Sequence, residues 1–224
     1  MPTSPTYLSD SDLPTLSTAI PLWLSLLTIG VNALAGALRG HSDTSREWNV
    51  VGVAVFALLM GLGGGFIRDT LIGNLPAASL RDPWSLATVL VAVAIVLLVG
   101  SHLVKVAPLM SFIDGLAIGL FAVTGTEYGL IFGLPNVSAV LLGVISAVGG
   151  GILVSVLQGH TPDILVAGAP TALLAVGASL TYAILWPWNA SLGAFLGVLV
   201  VVVGLSAARR WGIGLPATDS KAPQ

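Results

Sequence analysis

Apolar runs of about 20 residues follow one another along almost the whole chain, separated by short polar connections. A helix rising ~1.5 Å per residue needs about 20 apolar residues to cross a bilayer core. Seven runs qualify: Thr18–Leu38, Asn49–Gly73, Trp84–Val104, Leu109–Ile131, Val137–Gln158, Leu165–Leu185 and Ala190–Ala208. The pattern predicts an all-α integral membrane protein with seven transmembrane helices and no room for a soluble domain. Trp23, Trp48, Trp84, Trp186, Trp188 and Trp211 lie near the ends of these runs, as interfacial anchors do.

Two runs are interrupted in the same way. Gly63-Gly64-Gly65-Phe66-Ile67-Arg68-Asp69 lies in the second, and Gly149-Gly150-Gly151-Ile152-Leu153-Val154-Ser155 in the fifth. Each glycine weakens a helix by ~1 kcal/mol relative to alanine. An arginine or aspartate at membrane depth costs ~2.5–3.5 kcal/mol on insertion scales. A chain that carries both in its most apolar stretches has a use for a broken, polar membrane helix. An offset of 86 aligns the two triplets and pairs Leu71 with Leu157, Gly73 with Gly159 and Pro76 with Pro162. Upstream, an offset of 89 pairs Gly30, Ala33, Gly36 and Gly40 with Gly119, Ala122, Gly125 and Gly129.

Runs one to three therefore repeat as runs four to six. An odd number of spans per copy makes the second copy enter the membrane from the opposite face. The expected organisation is a flexible extracytoplasmic N-terminus (1–16), a first three-helix repeat (17–105), an inverted second repeat (106–187), a seventh helix (188–210) and a cytoplasmic tail (211–224). Charge sets the direction. With the N-terminus outside, Arg39, Arg46, Lys105, Arg209, Arg210 and Lys221 fall in the cytoplasm, against Arg81 alone outside. Residues Met1 to Leu16 lack the basic n-region of a signal peptide, so the first run is read as a retained span in the cell membrane.

Composition agrees and narrows the function. The 224 residues are 55% hydrophobic and only 8% charged, with a mean hydropathy of +0.98. A net charge of −2 without a basic patch gives no nucleic-acid signal. Cysteine is absent, and His41, His102 and His160 show no ligand-like spacing, so no metal site or cofactor is expected. There is no nucleophile–base constellation and no phosphate loop, so the chain does not read as an enzyme.

The glycines point to a path for ions. Backbone that bends or unwinds at Gly63, Gly64, Gly65, Gly149, Gly150 and Gly151 would bare carbonyl oxygens, which suit a cation. Arg68 and Asp69 are adjacent, about 100° apart on a helix. Either they form a structural lock, or Asp69 draws cations in while Arg68 limits their flow. The preferred reading is mixed, with Asp69 partly neutralised by Arg68 and the glycine backbone supplying most of the cation contact. Asp114 and Glu127 are candidate vestibule charges, with a helix-end role as the plainer reading. Asn32, Thr124, Thr126 and Ser155 either line the path or bond helix to helix. Gly36, Gly40, Gly125 and Gly129, spaced by four, read as close helix packing. Lys105 reads as a snorkelling loop residue.

The stretches GLGGGFIRDTLIGNLP (Gly61–Pro76), AVGGGILVSVLQGHTP (Ala147–Pro162) and DGLAIGLFAVTGTEYG (Asp114–Gly129) resemble the prokaryotic branch of the trimeric intracellular cation channel family. The resemblance runs from about Leu16 to Arg210. It implies a 3+3+1 helix fold, a homotrimer in contact with membrane lipids, and one hourglass-shaped pore per subunit conducting potassium and other monovalent cations. The kinked second and fifth helices would line that pore. The chain departs from the family pattern where Val154 and Ser155 replace a second arginine–aspartate pair, and where Tyr128 stands in place of a frequent lysine. Two other classes remain: a small-solute, amino-acid-like facilitator or transporter, and a structural membrane protein with a dry centre.

Overall fold

The structure is a computed structural model and describes residues 21–43, 46–104 and 106–216. Residues 1–16, Thr18 to Ile20 at the start of the first expected span, Lys105 and Lys221 lie outside the described residues. The principal helices are α1 (Leu22–Ser42), α2 (Val50–Leu71), α3 (Pro83–Leu103), α4 (Ala107–Ile131), α5 (Asn136–Gln158), α6 (Thr171–Leu185) and α7 (Ala190–Trp211). A single helical turn, Ala78–Arg81, stands between α2 and α3.

Polar side chains start several of these helices where the apolar runs begin. Asn49 accepts from Gly52 N at 2.9 Å, and Asn189 accepts from Leu192 N at 2.9 Å. Asp82 accepts from Trp84 N at 3.3 Å, and Pro83, which needs no N–H partner, opens α3. The repeated glycine that follows each triplet ends its helix. Gly73 (φ 72°) and Gly159 (φ 77°) take the left-handed conformation, and the next N–H reaches back, Asn74 to Asp69 O at 2.8 Å and His160 to Ser155 O at 2.9 Å.

Six helices are long and apolar enough to cross a membrane, among the described residues, and α6 is a shorter apolar helix of 15 residues. That corrects the sixth expected span, which began at Leu165. Pro170 precedes the first helical residue and cannot extend a helix backward. The residues before it form a 3-10 turn, Asp163–Leu165, and an extended stretch in which Gly168 pairs with Leu215 (2.8 and 3.3 Å). At ~1.5 Å per residue α6 covers only about 22 Å.

The helices build two cores. One gathers Leu38, Phe56, Val89 and Val96 from α1, α2 and α3, with Ile113 and Ala117 of α4 and Val154 of α5. The other gathers Phe121, Ala147, Ala178, Val201 and Leu205 from α4 to α7. Contacts between α2 and α5, and between α1 and α4, join the halves. Small residues let the helices approach. A Cβ on Gly36 would strike the Phe56 carbonyl, one on Gly125 would lie 2.8 Å from Gly143 Cα, and one on Gly129 would lie 2.8 Å from Ala139 Cα. Gly40 lies against the Phe56 ring, so these four glycines pack helices, as their spacing suggests.

Candidate functional site

Both glycine triplets remain helical: α2 and α5 run unbroken through them. Of the two expectations, a bent or an unwound backbone, this corrects the second. The triplets instead let two helices cross at backbone contact. A Cβ on Gly64 would strike the Ser146 carbonyl, and one on Gly150 would lie 2.9 Å from the Leu59 and Met60 carbonyl oxygens. A Cβ on Gly63 would lie 2.8 Å from Leu153 Cδ1, and one on Gly149 2.8 Å from Ile67 Cδ1. Each contact has its counterpart under the offset of 86, which pairs Met60 with Ser146 and Ile67 with Leu153.

One turn beyond its triplet, α2 carries the charge pair. Arg68 Nε donates to Asp69 Oδ1 at 2.8 Å, and Nη2 stands 2.8 Å from the same oxygen. Asp69 is fully buried, and its Oδ2 accepts from Ala78 N at 2.8 Å, which ties the helix to the turn that follows. The Arg68 guanidinium lies 3.5 Å above the centre of the Tyr128 ring, a desolvated cation–π contact. Arg81 Nη2 donates to Asn74 Oδ1 at 3.0 Å. These contacts pair Arg68 with Asp69 and seat it on Tyr128, while Arg68 also lines a cavity.

Two cavities flank the crossing. The first, about 180 Å³, is lined by Ser25, Thr28 and Ile29 of α1, Gly61 and Gly65 of α2, Arg68, Arg81, and Phe121, Thr124 and Tyr128 of α4. The second, about 260 Å³, is lined by Asn32 and Arg39 of α1, Asp114, Ala117 and Ile118 of α4, Gly151 and Ser155 of α5, and Arg209 of α7. In it, Asp114 Oδ2 accepts from Arg209 Nη2 at 2.8 Å, and Asp114 Oδ1 lies 3.8 Å from Arg39 Nη2. Arg209 Nη1 donates to Ser111 Oγ at 2.6 Å.

Of the six glycines, Gly65 and Gly151 face the cavities, while Gly63, Gly64, Gly149 and Gly150 form the crossing between them. Asp69 lines neither cavity. Glu127 lines neither; it is buried and shares a hydrogen bond with Tyr182 of α6. Asp114 and Ser155 line the second cavity, where Ser155 Oγ donates to Gly151 O at 3.0 Å. Asn32 lines the same cavity and joins α1 to α4 by donating to Ala117 O at 3.0 Å. Thr124 lines the first, whereas Thr126 is fully buried and donates to Ala122 O at 2.7 Å.

Arg39 is placed differently from its expected position in a loop: it sits in the last turn of α1 and faces the second cavity. Sequence reasoning named Tyr128 only as a departure from the family pattern and Arg81 and Arg209 only as topology charges, none of them as a site residue. A signal for the first was present, since the offset of 89 pairs Arg39 with Tyr128. Arg81 bonds to Asn74 in a loop, and Arg209 itself belongs to the unrepeated α7, so no pairing points to either.

Comparison with known proteins places this architecture. The family model described as "Glycine transporter" matches twice, at residues 22–101 and 111–187. A UPF0126 membrane protein of Deinococcus radiodurans is 30% identical over 217 residues, covering 93% of this chain and 97% of that protein. The structure of a trimeric intracellular cation channel orthologue from Rhodobacter sphaeroides superposes with a TM-score of 0.77 at 25% identity, covering 86% of this chain and 98% of that one. A second structure, solved to explain conductance through TRIC cation channels, gives 0.78 at 23% identity, covering 89% and 98%. These structural relatives are ion channels rather than enzymes, and this chain is not an enzyme. With the family model matched over most of its length, the chain belongs to the family described as Glycine transporter and is a helical membrane protein with the fold of the TRIC channels.

Proposed function

We propose that the chain is a cation channel, permeable to potassium and other monovalent cations, with one path through each subunit of a homotrimer. One observation carries this reading: two cavities, each holding an arginine and hydroxyl side chains on a largely apolar lining, stand back to back at the α2–α5 crossing. Along α1, Ile29 lines the first and Asn32 the second; along α4, Phe121 lines the first and Ile118 the second. Three helical residues rise only about 4.5 Å, so less than one helical turn separates the cavities. A path that needs so small an opening suits a channel better than a carrier, which must close one side as it opens the other.

The seven helices then form an inverted 3+3 repeat plus one, with α6 as the short sixth span. The two family-model matches begin 89 residues apart, at 22 and 111, which supports the tandem copies. The cavities exchange under the two offsets. Ser25 and Tyr128 face the first and their counterparts at 89, Asp114 and Arg39, the second, while Gly65 faces the first and its counterpart at 86, Gly151, the second. The basic residues Arg39, Arg209 and Arg210 support a reading in which the second cavity faces the cytoplasm and the N-terminus lies outside. The exposed apolar faces of α3 and α7, including Leu98 and Phe195, meet lipid or a neighbouring subunit.

Within the path, the Ser155 hydroxyl supplies an oxygen contact, Gly65 and Gly151 leave room for a cation to pass, and the crossing glycines frame the constriction. Asp69 and Asp114 neutralise Arg68 and Arg39, so a cation meets hydroxyl oxygens against an offset positive charge. No cofactor takes part. A second reading rests on the family description. A small amino acid would find oxygens for its ammonium group and a guanidinium for its carboxylate in either cavity. Planar-bilayer recording of the purified protein separates the two: unitary potassium currents support the channel, and saturable glycine uptake into vesicles without such currents supports the carrier.

A further inference from the structure

In the first cavity a guanidinium rests on the last glycine of the triplet. Arg68 Nη2 stands 3.8 Å from where a Cβ on Gly65 would sit. The second triplet has lost that residue, because Val154 occupies the position equivalent to Arg68 and is fully buried. Yet Arg39 Nη1 stands 3.7 Å from where a Cβ on Gly151 would sit. The second cavity therefore keeps a guanidinium on its glycine, delivered by α1 instead of α5. Arg39 is the repeat counterpart of Tyr128, the residue whose ring seats Arg68 in the first cavity. Between the two halves, support and charge have changed places.

We propose that Arg39 is the charge that controls ion flow at the second cavity, with Asp114 as its counter-ion and Arg209 of α7 setting how firmly Asp114 holds it. This assignment rests on the channel reading above. The two seats differ in firmness. The side chains of Arg68 and Asp69 are 8% and 1% exposed and stand 2.8 Å apart. Those of Arg39 and Asp114 are 29% and 13% exposed and stand 3.8 Å apart, while Asp114 spends its other oxygen on Arg209 at 2.8 Å. Arg68 is thus the fixed charge and Arg39 the adjustable one. A positive charge at one mouth lowers the local cation concentration and throttles flow that enters there. Charges at opposite mouths must therefore bend the current–voltage relation in opposite directions, and salt must suppress both effects, since the Debye length falls to ~3 Å at 1 M.

The absence of cysteine makes each position singly addressable. Arg39→Cys and Arg68→Cys are recorded in planar bilayers in low potassium chloride, before and after a cationic thiol reagent is added to one side. Arg39→Cys should raise current entering from the second cavity by about two- to tenfold. The reagent should reverse that rise from this side only, and Arg68→Cys should give the mirror result. Asp114→Asn, which keeps both arginines, should lower the same current. A wild-type current–voltage relation in both Arg39→Cys and Asp114→Asn overturns the assignment while leaving the channel. Absence of current in the unsubstituted protein overturns the channel reading and the assignment with it, and that arm is read first.

Discussion

Replacing Asp69 by asparagine keeps the shape of the side chain and removes its charge, which leaves the Arg68 guanidinium buried against an amide. A buried ion pair adds little beyond what its desolvation costs, but removing one partner typically costs about 3–5 kcal/mol. Asp69→Asn should lower the melting temperature of the detergent-solubilised protein by that order of stability. Tyr128→Leu should cost less, about 2 kcal/mol, since it removes only the cation–π seat. Equal melting of Asp69→Asn and the unsubstituted protein would show that the pair is not a lock. The residues Arg68 and Asp69 were legible in the sequence because an adjacent charge pair in an apolar run has few explanations. Arg39 was not. A basic residue at a helix end reads as a loop charge, and its partner Asp114 lies in another helix that only folding brings near.

At the scale of the helices, the triplet is not one feature but two. Its first two glycines are crossing contacts, and its third faces a cavity. Gly64→Ala would drive a methyl group into the Ser146 carbonyl, a backbone atom that cannot swing aside. Overpacking of this kind costs about 1–3 kcal/mol. Gly65→Ala meets only the end of the Arg68 side chain at 3.8 Å and gains about 1 kcal/mol of helix propensity. The two neighbours should therefore differ in sign when melting is compared, and Gly150→Ala and Gly151→Ala should repeat the contrast in α5. Equal destabilisation by Gly64→Ala and Gly65→Ala would return the triplet to an unwound segment. Helix boundaries were largely legible, because hydropathy and caps such as Asn49 and Asn189 agree with each other. Helix α6 was not, because Leu165, Val166 and Ala167 extend the apolar run while Pro170 ends what a helix can use. The triplets misled for a related reason. Glycine lowers helix propensity wherever it stands, and only the position of α5 shows that tight packing compensates for it.

At the scale of the whole molecule, the proposed path depends on a thin wall between the two cavities, and that wall was the part least visible in the chain. It depends on residues from α1 and α4, whose glycine spacing pointed only to packing. Phe121, 3% exposed, closes the first cavity from α4, and Asn32 closes the second from α1 by bonding to Ala117 O. These two are counterparts under the offset of 89, one apolar and one polar, so the wall is unequal in its two halves. Single cysteines placed on either side of it can map its position. Thr124→Cys should react with a bulky charged thiol reagent from the extracytoplasmic face only, and Ala117→Cys from the cytoplasmic face only. Adding Phe121→Ala should open the wall, so that both positions react from both faces and unitary current rises without a change in rectification, because neither Arg39 nor Arg68 has moved. The variant protein should still elute as a single species, which separates an opened path from a collapsed fold. If Thr124 and Ala117 react from the same face even with Phe121 intact, the cavities do not lie on opposite sides of a wall. The path would then have to be sought elsewhere in the bundle.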